Sequence, residues 1–282
     1  MTYRQTTVRP IAGALGAEIS GVDLSAPLDD ASFADIHAAY LEHLVLFFPD
    51  QRLDPEALIA LGRRFGELEA HPFLPNLKDH PEVVLLQKKE TAETNVGNGW
   101  HSDMSFLETP PAGSVLYALD VPPYGGDTLF ANMYLVHDSL SDGLKQMLGG
   151  RSAIHDYTRV FLEAARRGRT SASMEDIEAA RDEMPPVEHP VFRTHPETGR
   201  KLLYVNPFFT SHLKDISPDE SRPILEYLYQ QTAKPESTCR YRWREHTVAL
   251  WDNRCTQHYA VNDYHGHRRT MHRITIRGDR PF

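Results

Sequence analysis

The strongest constraint on the fold is a succession of short apolar runs broken by turn residues, with only a few stretches of helical spacing between them. Val45-Leu46-Phe47-Phe48-Pro49, Val83 to Gln87, Ala112 to Leu119, Thr247 to Trp251 and Arg269 to Ile276 read as strands. Helical spacing marks Phe33, Ile36 and Tyr40 behind a Ser32 cap, and Leu58, Leu61 and Phe65 behind Asp54-Pro55. It recurs from Tyr134 to Leu148 and after the capping box Ser217-Pro218-Asp219-Glu220. Strands and helices do not alternate regularly, and no phosphate-binding glycine fingerprint follows a strand, which argues against a doubly wound α/β fold. The expected fold is α+β and mostly β, a single domain over 1–282 with a jelly-roll core and surrounding helices. A mobile lid is expected at about 157–188, where large apolar residues are few and Pro185-Pro186 closes the stretch.

Within that frame the stretch Trp100-His101-Ser102-Asp103-Met104-Ser105-Phe106 stands out. Read as a strand, it points His101 and Asp103 to one face, where an imidazole nitrogen and a carboxylate oxygen can meet one metal ion. Among 15 histidines, chance supplies about one His-x-Asp pair, so the pair needs its context. His80-Pro81-Glu82 and His195-Pro196-Glu197 carry a central proline, which favours a turn or strand edge instead. The third candidate ligand is His258, in the run from Trp251 to Tyr259. Two histidines and one carboxylate with open positions form the facial triad of non-haem Fe(II) oxygenases. The same donors suit a catalytic zinc, so a zinc hydrolase is an alternative, as is a non-catalytic anion-binding barrel.

A net charge of −9 argues against nonspecific nucleic-acid binding. Yet the segment from Arg240 to Phe282 holds nine arginines and no lysine against four acids. The planar guanidinium fork suits carboxylate, sulfonate or phosphate. Arg240, Arg242 and Arg244 alternate with Tyr241 and Trp243, the pattern of a half-buried strand with its arginines outward. Arg269 and Arg273 share a strand face with Met271, and their own segment places no acid there. Buried guanidinium needs a counter-charge, which is either a bound anion or a distant Asp or Glu. No apolar run approaches the ~18 residues of a membrane span, Met1-Thr2-Tyr3-Arg4-Gln5 shows no leader, and Cys239 and Cys255 lack zinc or redox spacing. A cytoplasmic protein with reduced thiols and no membrane partner is expected.

Trp100 to Pro111, Gly125-Gly126-Asp127-Thr128-Leu129, Trp251-Asp252-Asn253-Arg254, Gln257-His258-Tyr259-Ala260 and Arg268 to Arg273 resemble, in order and spacing, the taurine dioxygenase (TauD/TfdA) family of Fe(II)/2-oxoglutarate-dependent dioxygenases. The similarity covers nearly the whole chain. It implies that His101, Asp103 and His258 bind Fe(II), and that Arg269 takes the distal carboxylate of 2-oxoglutarate with help from the Thr128 hydroxyl. It further implies that His71 and Arg273 hold the anionic head of a small organic substrate between aromatic walls Phe161 and Phe209. Dioxygen is the second cosubstrate, and a homo-oligomer, dimer or tetramer, is expected from the family. The family member acting on taurine has an asparagine ahead of the metal strand; here Asn95 and Asn98 both lie there, and Asn98 is taken as the candidate. That member's tyrosine after the substrate histidine is replaced by Leu74. Fewer polar partners favour a more apolar substrate. Other alkylsulfonates, alkyl sulfates and aryloxyalkanoates therefore stand beside taurine, and a sulfonate would yield sulfite and an aldehyde.

Overall fold

The protein is described by a computed structural model covering residues 3–70, 74–160, 162, 179, 182 and 184–282. Its largest element is a nine-stranded sheet. In spatial order this runs Thr7–Pro10, Ala17–Ser20, Val45–Phe48, Val248–Asp252, Gly113–Asp120, Arg269–Ile276, His80–Lys88 and Asn76–Leu77, with Leu68–Glu69 also pairing onto Arg269–Ile276. Every neighbour is antiparallel except Ala17–Ser20 beside Val45–Phe48, so the sheet is mixed. A second sheet of three strands, Thr238–Tyr241, Thr128–Asn132 and Thr256–Ala260, provides the element that carries His258.

The central strands are apolar on both faces because both faces are covered. In Val45–Phe48 the side chains of Leu46 and Phe48 join Ile36, Tyr40, Leu58 and Leu61 of helices Asp30–His43 and Pro55–Phe65. The alternate residues Val45 and Phe47 join Phe130, Tyr241 and Trp243 of the second-sheet side. Phe47 stacks flat on Tyr241 at 3.6 Å between ring centroids and meets Phe130 edge-on at 5.8 Å. Period-two alternation thus sorts one strand between two cores. The same sorting puts Met271 and Arg273 on the inner face and Ile274 and Ile276 on the helix-covered face.

Several local expectations change. The first helix is capped by Asp29, not Ser32; the Asp29 carboxylate accepts from the Ser32 backbone N–H, because a cap lies outside the turn it closes. Tyr134 to Leu148 is two helices, Met133–Ser139 and Asp142–Leu148, the second capped by Ser141. The His101 segment is not a strand. His101 makes one isolated bridge to His258, and the chain then turns through Met104, whose φ is +43°. Arg240 and Arg244 do point outward, to Asp127 and Glu18. His195-Pro196-Glu197 is a turn, in which His195 Nδ1 accepts from the backbone N–H groups of Glu197 and Thr198. Both cysteines are free and buried. Among the described residues no helix is long and apolar enough to cross a membrane. Most of the 157–188 stretch, with Phe161, lies outside the described residues, as does His71.

Candidate active site

His101, Asp103 and His258 lie together in the interior, their ligand atoms all within 4.8 Å of one another. The Nε2 atoms of His101 and His258 stand 3.8 and 3.7 Å from Asp103 Oδ1. Backbone pairing sets this arrangement: His101 N donates to the His258 carbonyl at 3.1 Å, and His258 N donates back at 2.9 Å. Asp103 reaches the same point through the turn rather than through strand alternation. Its turn is closed by Ser102, whose hydroxyl donates to the Thr256 carbonyl at 2.8 Å. His101 Nδ1 donates to the Gly99 carbonyl at 2.7 Å, which leaves Nε2 as the acceptor facing the cluster. Burial lowers the pKa of both imidazoles, and His258, with His101 beside it, is pushed down to about 3. Both rings are therefore neutral at pH 7, with lone pairs available to a cation. Burial alone would raise the Asp103 carboxyl, but the Arg273 guanidinium holds it well below the usual carboxylate range.

The second oxygen of Asp103 is held as firmly as the first is left free. Asp103 Oδ2 accepts from Arg273 Nη2 at 2.6 Å and from the Ser114 hydroxyl at 3.0 Å. Ser114 Oγ in turn accepts from Asn253 Nδ2 and Arg273 Nη2, each at 3.0 Å, and Asn253 Oδ1 accepts from Trp251 Nε1 at 2.8 Å. Ser114 and Asn253 were not among the sequence candidates. A serine opening an apolar strand gives no sign that it faces a carboxylate eleven residues earlier.

The neighbouring pocket is lined by His101, Thr128, Phe130, Trp251, His258, Arg269 and Arg273, with Leu86, Val96, Gly97, Leu116 and Ala260. Arg269 and Thr128 thus line one pocket with His101 and His258. Trp243 Nε1 donates to Thr128 Oγ1 at 2.9 Å, and the Arg269 guanidinium carbon lies 5.5 Å from the Trp243 ring centroid. The indole occupies one lone pair of the hydroxyl, which leaves its O–H to donate elsewhere. Trp243 also escaped the sequence reading, which saw only an inward aromatic. Phe209 is buried, 4.9 Å from Phe106 and 6.3 Å from His101 between ring centroids, but Phe208 lies closer to His101 at 5.1 Å. Asn206 fixes this pair: its Nδ2 donates to Ser105 Oγ and its Oδ1 accepts from the Phe209 N–H, both at 2.9 Å. Asn98 is exposed on the loop before His101, whereas Asn95 is half-buried and donates to the Ala260 carbonyl at 3.2 Å.

Comparison with known proteins decides the family. The family model described as "Taurine catabolism dioxygenase TauD, TfdA family" matches residues 7–275. The chain belongs to this family. Among curated relatives of this TauD-type chain is an alkylsulfatase of Acinetobacter baylyi, 35% identical, with 98% of this chain and 86% of the relative covered. An alpha-ketoglutarate-dependent sulfate ester dioxygenase of Pseudomonas putida is also 35% identical, over 97% and 90%. The crystal structure of a taurine dioxygenase from Burkholderia xenovorans superimposes with a TM-score of 0.83 at 34% identity, covering 99% of this chain and 91% of that one. Membership makes the protein a 2-oxoglutarate-dependent dioxygenase of the TauD type.

Proposed function

We propose that this dioxygenase binds Fe(II) through His101 Nε2, His258 Nε2 and Asp103 Oδ1, and hydroxylates an alkyl sulfate or alkylsulfonate at the carbon bearing the sulfur-containing group. The observation that carries this is the buried cluster of those three donors with Arg269 and Arg273 projecting from one strand into its pocket. The donor set fits iron: two neutral imidazoles and one ionised carboxylate, with the remaining faces turned to the pocket. When bound, iron supplies dioxygen activation with 2-oxoglutarate as the electron source.

The chain's own residues bind, orient and shield. Thr128 and Arg269 receive the distal carboxylate of 2-oxoglutarate. Arg273 receives the substrate's anionic head; its Nη2 already bonds Asp103 and Ser114, so it holds metal ligand and substrate in one register. His71 is assigned to the same head group. Phe209 and Phe161 are assigned as walls of the substrate channel, with Asn98 at its rim. Phe208 and Phe209 keep water from the reacting carbon. No acid lines the pocket among the described residues, which disfavours a zinc hydrolase needing a general base.

We read the two facing sheets as the halves of a jelly roll in one catalytic domain over 1–282, with 157–188 as its lid. Its setting is taken to be the cytoplasm and its assembly a homo-oligomer. Relatives named for sulfate esters and for sulfonates support this choice, and phenoxypropionate, in the name of a dioxygenase 32% identical to this chain, is the second choice. The test supplies Fe(II), ascorbate, 2-oxoglutarate and air with hexyl sulfate, hexanesulfonate, taurine or a phenoxypropionate. Succinate formed in step with sulfate, sulfite or phenol supports the proposal and names the head group; no succinate above the substrate-free control for any of them defeats it.

A further inference from the structure

In the register of the large sheet Lys88 stands directly opposite Arg269. Cross-strand partners have Cβ atoms about 4.5–5.5 Å apart, and like charges in that position are destabilising. Both side chains lie on the inner face, since the next pair on that face, Leu86 opposite Met271, belongs to the inner core. Lys88 is only 6% exposed. Its Nζ and the Nε of Arg269 are both buried without a hydrogen-bond partner. Two adjacent cations with buried, unpaired nitrogens are a costly arrangement.

Lys88 and Arg269 line one pocket with Gln87, Thr94, Asn95 and Tyr264, and no Asp or Glu is among its described lining residues. Asp127, whose charge acts on Arg269, is bonded by Arg240 through Oδ2, while its Oδ1 is buried without a hydrogen-bond partner. Lys88 Nζ rests 4.5 Å from the Tyr264 ring centroid. That cation–π contact leaves the ammonium donors unused. Arg269 also lines the metal pocket with Thr128, whereas Lys88 does not. Arg269 thus lines both pockets, with Thr128 in one and Lys88 in the other.

We infer that Lys88 is a second cationic ligand for the distal carboxylate of 2-oxoglutarate, completing with Arg269 and Thr128 a site selective for dicarboxylic 2-oxo acids. This rests on the cosubstrate assignment above and adds a residue to it. The like-charge pair is tolerated because the cosubstrate's carboxylate neutralises it. A merely structural lysine, held by Tyr264, makes opposite predictions.

The experiment is calorimetric titration of Mn(II)-loaded protein with 2-oxoglutarate and with 2-oxovalerate, which lacks the distal carboxylate, alongside melting curves of the ligand-free protein. In Lys88→Met the Kd for 2-oxoglutarate should rise about tenfold, the loss of one charge-assisted hydrogen bond. The Kd for 2-oxovalerate and the ligand-free Tm should not worsen, and Lys88→Arg should restore most of the affinity. An unchanged Kd for 2-oxoglutarate, an equal loss for both 2-oxo acids, or a lowered Tm with intact affinity overturns the inference. Failure of the parent protein to bind 2-oxoglutarate would instead bring down the cosubstrate assignment together with the role of Lys88.

Discussion

At the level of single residues, the Asp103 carboxylate shows how one side chain is divided between two tasks. Oδ1 faces the imidazoles while Oδ2 is tied to Arg273 and Ser114. Ser114→Ala should leave the Asn253 amide and one Arg273 N–H without an acceptor, costing about 1–3 kcal/mol of stability. Second ligands of this kind also orient the metal-binding group, so Mn(II) affinity should fall about 10-fold or more. Metal titration and a melting curve on the same variant check both numbers. Trp243→Phe keeps the ring but removes the N–H donor to Thr128. It should raise the 2-oxoglutarate KM several-fold and leave the primary substrate's KM in place. His101, Asp103, His258, Arg269 and Arg273 were visible in the sequence because metal donors and arginines carry chemistry in their identity. Ser114, Asn253, Asn206 and Trp243 were not, because serine, asparagine and tryptophan acquire these roles only from what the fold sets beside them.

Among the elements, the strands were readable and the loop that delivers His101 and Asp103 was not. Val45–Phe48, Gly113–Asp120 and Val248–Asp252 fall within a residue of the apolar runs, since strands covered on both faces are largely apolar, and Arg269–Ile276 coincides with the strand-like run read there. The His101 segment, read as a strand, forms a single bridge and a turn. Its path depends on close approaches that periodicity does not encode. Gly97 has φ +81°, and a Cβ there would sit 3.2 Å from His101 Cε1; a Cβ on Gly99 would sit 2.7 Å from the Phe208 ring. Gly97→Ala should cost roughly 1–2 kcal/mol for the left-handed backbone and displace the His101 ring. Weaker Mn(II) binding with a modest loss of Tm is expected; wild-type metal affinity in Gly97→Ala would show that the loop does not position the ligand.

Across the whole molecule, the mostly-β class followed from the run pattern, whereas the strand order did not, because pairing partners such as Val248–Asp252 and Val45–Phe48 lie two hundred residues apart in a chain without repeats. Nor does composition reveal how much polarity the interior holds. Beneath the site, His155 Nδ1 lies 3.0 Å from Ser105 Oγ, and His189 Nε2 donates to the Leu107 carbonyl at 2.8 Å. Burial pushes His155 well below its ordinary range and His189 down to about 4. In the unfolded chain each protonates near pH 6.5. Between that value and about 4 the unfolded state therefore holds more protons, so folding stability falls as the solution is acidified through this window. His189→Gln should flatten the slope of stability against pH there by up to one proton, about 1.4 kcal/mol per pH unit. Denaturant unfolding at a series of pH values reads the slope, and an unchanged slope would mean that His189 titrates alike in both states. We propose that the buried cluster of His101, Asp103 and His258 makes this TauD-family protein an iron- and 2-oxoglutarate-dependent oxygenase of anionic substrates. The most direct measurement is dioxygen uptake and succinate formation on hexyl sulfate with Fe(II) and with Zn(II), in the parent protein and in His258→Ala. One succinate per dioxygen is expected with Fe(II) alone and is lost in His258→Ala; sulfate release without dioxygen uptake, supported by Zn(II), would show a hydrolase instead.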